Sequence, residues 1–151
     1  MRYLVGFGNY TACDDSVGLR IVEYIAEHGL EQGFRALDLS TNSLNLVSYL
    51  RPDTEAILIV DSARMGMAPG EVRFFTPEQV ESRKAPERLS THEGDVLKVL
   101  ELARELGYPM PPIVFRGIEP ERVTSEIGLS KALVERLPAY AAAAIARLRD
   151  L

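Results

Sequence analysis

A few residues capable of acid–base or metal chemistry stand out in this chain. Adjacent carboxylates Asp14 and Asp15 follow a Gly6-Phe7-Gly8-Asn9 turn, Asp61 ends an apolar run, and His92 sits in the helix-start pattern Ser90-Thr91-His92-Glu93. Two carboxylates and one imidazole, brought together, make an open site suited to a borderline divalent ion, with positions left for water or substrate groups. Cys13 is the one cysteine, so no intramolecular disulfide or cysteine-based zinc knuckle can form, and any metal must rest on oxygen and imidazole ligands.

Each residue also has a plainer role open to it. One of Asp14 and Asp15 can cap a helix beginning near Ser16 and favour its positive end, while the other faces a crevice. An acid directly after a fully apolar strand, as Asp61 is, must be hydrogen-bonded, paired or coordinated if buried. His92 is either a solvated first-turn residue or a ligand, and the helix dipole disfavours imidazolium there, which keeps a neutral ring available for metal. His28 lies at the end of a helix, where a cation is welcome, and reads as structural. Gly6 and Gly8 let the backbone turn sharply. The dinucleotide fingerprint is incomplete, because its third glycine would fall on Thr11.

The elements that must position these groups follow from periodicity. Tyr3 to Phe7 reads as a strand, and Val17, Ile21 and Ile25 recur at helical spacing up to a left-handed cap at Gly29. Phe34 to Leu39 is a second strand and Leu44 to Leu50 a short helix stopped before Pro52. Ala56 to Val60 is apolar on both faces, as a central parallel strand covered by helices requires. Gly66 to Gly70 reads as a turn into an edge strand at Glu71 to Phe75, and the polar stretch Thr76 to Leu89 as a mobile loop. The capping box at Ser90 opens an amphipathic helix running to Gly107, Ile113 to Phe115 is another buried strand, and the chain from Ser130 is helical, with Pro138 opening its last section.

Alternating strands and helices predict a three-layer α/β/α sandwich with a mostly parallel, twisted sheet, the arrangement of phosphorylase- and hydrolase-like folds. Ligands gather beyond the carboxyl ends of such strands, where the Gly6 loop, Asp61 and Gly117 are expected. At 151 residues and 46% hydrophobic content, residues 1–151 suit one domain burying roughly two thirds of its unfolded surface. The net charge of −5 without a basic run argues against nucleic acid, and the lack of a signal-like or membrane-spanning apolar segment predicts a cytoplasmic protein without membrane insertion. No G-x-S-x-G elbow appears and nothing positions a base beside Cys13, which disfavours serine or cysteine catalysis.

Taken in order, Gly6-x-Gly8-Asn9, Asp14-Asp15 with Gly18, Asp61, Ser90-Thr91-His92, Gly117-Ile118-Glu119-Pro120 and Gly128-Leu129-Ser130 resemble the hydrogenase maturation proteases over nearly the whole chain. That resemblance implies an aspartic-type endopeptidase that removes the C-terminal extension of a nickel-iron hydrogenase large-subunit precursor after nickel insertion. It also implies that Asp15, Asp61 and His92 contact nickel supplied by the precursor, a site other divalent metals could occupy, with Asp15 and Asp61 as the catalytic carboxylates. The metal could position the peptide, polarise its carbonyl or activate water, or a carboxylate could act as general base. The sequence departs from the family pattern in having Asp15 where glutamate is common, Ser16 where glycine is common, and no glycine in Asp38-Leu39-Ser40-Thr41. A non-proteolytic nickel- or peptide-binding assembly factor and a small-molecule hydrolase on the same fold are the alternatives, since fold does not fix function.

Overall fold

A computed structural model describes the backbone of residues 1–82 and 91–151, and side chains outside 80–94. Among the described residues, five strands form one sheet: β1 (Arg2–Phe7), β2 (Phe34–Ser40), β3 (Ala56–Ser62), β4 (Val72–Phe75) and β5 (Ile113–Ile118). Their spatial order is β2-β1-β3-β5-β4, parallel throughout except for the antiparallel edge strand β4. Every residue of β3 is buried, consistent with its two-sided apolar pattern and central position.

Helices cover both faces, giving the three-layer sandwich. On one side Leu4, Leu58 and Val60 pack with Val17, Ile21 and Ile25 of α1 (Val17–Glu27) and with Tyr140, Ala144 and Leu148 near the C-terminus. On the other, Val5, Ile57, Ile59 and Phe115 pack with Leu46 and with Val96 and Leu100. The run Ala141 to Ala144 belongs to α5 (Leu137–Arg149), where small side chains let the helix lie close to the sheet; Ala141 and Ala144 are wholly buried.

Several local expectations hold. Gly29 adopts φ +61° just past α1, as a left-handed cap requires. His28 stacks on Tyr24, with ring centroids 3.9 Å apart, and its Nδ1 lies 2.9 Å from the Tyr24 carbonyl oxygen, in keeping with a structural role. Val72–Phe75 is an edge strand, Ser130 precedes α4 (Lys131–Val134), and α5 has proline in its first turn.

The short helix expected at Leu44 to Leu50 is present as a 3-10 helix over Ser43–Tyr49, which suits a short run rich in asparagine and serine, whose side chains compete for backbone hydrogen bonds. One expectation needs correction. The stretch expected to be a mobile loop contains a helix, α2 (Pro77–Ser82). Its start is a reciprocal capping box: Gln79 N donates to Thr76 Oγ1 at 3.3 Å, and Thr76 N donates to Gln79 Oε1 at 2.9 Å. With Pro77 at the first helical position, the Thr-Pro-Glu-Gln start was legible, but the polarity of the surrounding stretch hid it. Residues 83–90, including the Ser90 half of the second capping box, lie outside the described residues.

Candidate active site at the carboxyl ends of β1 and β3

The strand order reverses direction between β1 and β3, since β1 connects outward to β2 while the chain then crosses to β3 on the other side. Such a switch point opens a crevice at the carboxyl ends of its two strands. The turn after β1 leads to Asp15, and β3 ends on Asp61 and Ser62, so both candidate carboxylates arrive at this crevice.

Small residues permit the approach. A Cβ on Gly6 would fall 2.5 Å from the Gly18 carbonyl oxygen, and one on Gly18 would collide with the carbonyl oxygens of Val60 and Phe7. Glycine at 6 and 18 therefore allows the start of α1 to press against the ends of β1 and β3. Between them, Cys13 takes φ +50° inside a short 3-10 turn (Cys13–Ser16), an uncommon conformation for a residue with a side chain. Loop 121–130 holds this turn: Cys13 N donates to Glu126 O at 2.7 Å and Asp14 N to Arg122 O at 3.1 Å.

Asp14 and Asp15 have different surroundings. Asp14 is wholly buried, and its carboxylate accepts from Glu121 N, Arg122 N, Ser130 N and Ser130 Oγ at 2.7–3.1 Å. It thereby ties loop 121–130 to the turn, and a charge so buried is tolerated because donors surround it. Asp14 is thus committed to the loop rather than to capping α1; Ser16 stands at the N-cap without a side-chain capping bond and donates its Oγ to Cys13 O at 2.7 Å.

Asp15 is half-buried and faces β3, where its Oδ1 accepts from Ser62 Oγ at 2.7 Å. Asp61 is 1% exposed, its Oδ1 accepting from Ser62 N at 2.7 Å. Ser62 therefore binds both carboxylates, one through its hydroxyl and one through its backbone. Sequence reasoning missed Ser62; its place directly after a strand-terminal acid was the available signal. Asp61 stands opposite Gly117 in the β3–β5 register, confirming that Gly117 belongs at this end of the sheet.

His92 lies in the first turn of α3 (Thr91–Glu105), with its side chain outside the described residues. The helix packs against the Ile59 and Phe115 face of the sheet, and by strand alternation Asp61 belongs to that same face. Among the described residues no group of three His, Cys, Asp or Glu side chains is set to hold a metal ion.

Two further carboxylates shape the rim. Buried Glu119 accepts from Met65 N at 2.7 Å and Met67 N at 3.0 Å, fixing the loop that leaves Asp61 and Ser62. Asp38 accepts from both N and Oγ of Ser40 at 2.9 Å, and Ser40 takes φ +50°. The position that lacks the expected glycine thus keeps a glycine-like conformation, supported by an aspartate turn. Ser40 O then accepts from Gly8 N at 2.9 Å, joining this turn to the loop after β1.

Comparison with known proteins agrees with this architecture. The chain is 28% identical over 148 residues to the hydrogenase expression/formation protein HupD of Rhodobacter capsulatus, covering 97% of this chain and 70% of the relative. It is 25% identical to the hydrogenase 2 maturation protease of Escherichia coli K12, covering 99% and 92%. It spans only 58% of the HoxM protein of Azotobacter vinelandii, to which it is 26% identical. In structure it superposes on the hydrogenase maturating endopeptidase HybD from Escherichia coli with a TM-score of 0.83 at 24% identity, covering 99% of this chain and 93% of that one. For the [NiFe] hydrogenase maturation protease HybD from Thermococcus kodakarensis the TM-score is 0.79 at 25% identity, with 98% and 99% covered. A family model described as hydrogenase maturation protease matches residues 19–147, and the chain belongs to that family.

Proposed function

We propose that this protein is the endopeptidase that removes the C-terminal extension of a nickel-iron hydrogenase large-subunit precursor once nickel has been inserted. Family membership supports the proteolytic reading. The observation that carries the choice of site is the convergence of Asp15 and Asp61 on Ser62 at the switch point between β1 and β3.

On this reading Asp15, Asp61 and His92 meet nickel that belongs to the substrate, and the metal reports that the precursor is ready. Carboxylate oxygens and an imidazole nitrogen suit a borderline divalent ion, and Ser62 sets the direction of both carboxylates before substrate arrives. Hydrolysis requires water to attack the scissile carbonyl, the C–N bond to break, and the departing amine to gain a proton. We assign acceptance of the water proton to the Asp15–Asp61 pair, whose carboxylates are the acceptors at the crevice. The reading places the protein in the cytoplasm as a single domain, and among the described residues no helix is long and apolar enough to cross a membrane.

The test is the intact mass of nickel-loaded and nickel-free large-subunit precursor, incubated with wild type and with Asp61→Asn. Loss of a discrete C-terminal peptide from the loaded precursor, with wild type only, is the expected result. Equal cleavage by Asp61→Asn would remove Asp61 from the mechanism, equal cleavage of nickel-free precursor would remove metal recognition, and tight binding without any product would identify an assembly factor.

A further inference from the structure

On the opposite face of the sheet from Asp61, β5 carries an arginine whose environment the proteolytic reading does not explain. Arg116 is only 7% exposed, and its Nε is buried without a hydrogen-bond partner. No hydrogen bond or ion pair to its guanidinium occurs among the described residues. One face of the group lies on the Phe74 ring, with Cζ 4.1 Å from the centroid. Burying an arginine without a carboxylate is costly, and desolvation lowers its pKa from the ordinary value. The chain carries 22 acidic residues, yet among the described residues none forms an ion pair with this guanidinium.

Arg116 lines an open depression of about 430 Å³ between the start of β4 and α5. Arg136 lies on its wall, and Met67, Val72, Ala139 and Ala143 supply apolar surface. Tyr140 donates its hydroxyl to Gly70 O at 2.6 Å, which fixes the floor, and the Arg136 guanidinium lies against Gly70 as well. Glu71 contributes one negative charge at the edge.

We propose that this depression is a recognition site for a carboxylate carried on a polypeptide, anchored by Arg116 and assisted by Arg136. A guanidinium with one face stacked on an aromatic ring keeps its edge donors for planar, bidentate contact with a carboxylate. The apolar walls suit the hydrocarbon stem of an acidic side chain, and Glu71 disfavours a dianion such as phosphate relative to a monoanionic carboxylate. The site lies at the far end of the loop that begins after Ser62, since Met67 and Gly70 belong to that loop and Glu119 fixes its middle. The inference does not rest on the proteolytic reading.

The test follows the arginine Nε–Hε resonances of the whole protein by NMR while adding the blocked peptide acetyl-Ala-Glu-Ala-amide, glutarate, or inorganic phosphate. The expected result is a saturable shift of the Arg116 signal at a peptide concentration at least about fivefold below that needed for the other two, weakened about fivefold or more in Arg136→Gln, as loss of one charge-assisted contact would produce. Arg136 is exposed, so that variant is expected to fold, and its spectrum reports this directly. Tighter binding of phosphate would overturn the carboxylate assignment, and equal binding of glutarate the polypeptide source. No saturable shift with any of the three, or undiminished peptide binding by Arg136→Gln, would overturn the site.

Discussion

Ser62 Oγ donates to Asp15 Oδ1 at 2.7 Å, joining residues 47 positions apart in sequence across the crevice between β1 and β3. Because Ser62 N also donates to Asp61 Oδ1, one residue orients both candidate catalytic carboxylates. Ser62→Ala keeps the backbone donor and removes the hydroxyl. The expected outcome is a fall in precursor processing of about five- to tenfold, the equivalent of one hydrogen bond of about 1 kcal/mol, with little change in stability. Rates from the intact-mass assay, alongside thermal melts, check this; an unchanged rate removes Ser62 as a positioning residue.

Asp14 is expected to matter for folding. It is wholly buried, and its truncation would strand the Glu121, Arg122 and Ser130 donors that it now satisfies. Asp14→Ala should cost on the order of 3 kcal/mol or more, since each stranded buried donor carries a penalty of about 1–3 kcal/mol. Urea unfolding measures this, and a loss below about 1 kcal/mol would contradict the loop-anchoring role.

Gly18→Ala tests the close approach of α1 to the strand ends. The added Cβ meets backbone oxygens of Val60 and Phe7, which cannot rotate away as a side chain could. Overpacking of this kind costs about 1–3 kcal/mol, so a lower melting temperature is expected, together with reduced processing as Asp15 and Asp61 move apart. Gly29→Ala, where a Cβ would meet nothing within 4 Å, is the control, losing only what the left-handed backbone at φ +61° imposes.

Burial raises the Tyr140 pKa above its ordinary value of 10.0, with the neighbouring Arg136 opposing the shift. The folded protein then holds the phenolic proton more tightly than the unfolded chain. The stabilising difference is fully present below pH 10.0 and is lost as pH rises above it toward the folded-state value. Stability measured by denaturant unfolding should therefore decline above about pH 10, and Tyr140→Phe, which lacks the titrating group, should decline less steeply. Parallel slopes for the two proteins would refute the assignment to Tyr140.

Much of the fold was legible because hydrophobic periodicity reports burial directly. The two-sided apolar run Ala56 to Val60 became the central strand, and the spacing of Val17, Ile21 and Ile25 became the inward face of α1. Asp61 could be assigned to a strand end by local pattern alone. The small helix at Pro77 was signalled by its caps yet obscured by the polar residues around it, which carry little periodicity.

The division of labour between Asp14 and Asp15 was not legible. The two are chemically identical neighbours, and their roles separate only because the turn at Cys13 sends one carboxylate toward Ser130 and the other toward Ser62. Likewise, Arg116 falls just beyond the strand expected at Ile113 to Phe115, and only the pairing of the longer β5 with β4 places its guanidinium on Phe74 beside a depression that it shares with Arg136 and a single carboxylate, Glu71. The sequence by itself determined which segments become strands and helices, since those choices depend on neighbours a few residues away. Tertiary structure decided which donors Asp14 and Asp15 meet, because those donors come from residues 47 to 116 positions distant and are brought within reach only when the sheet assembles.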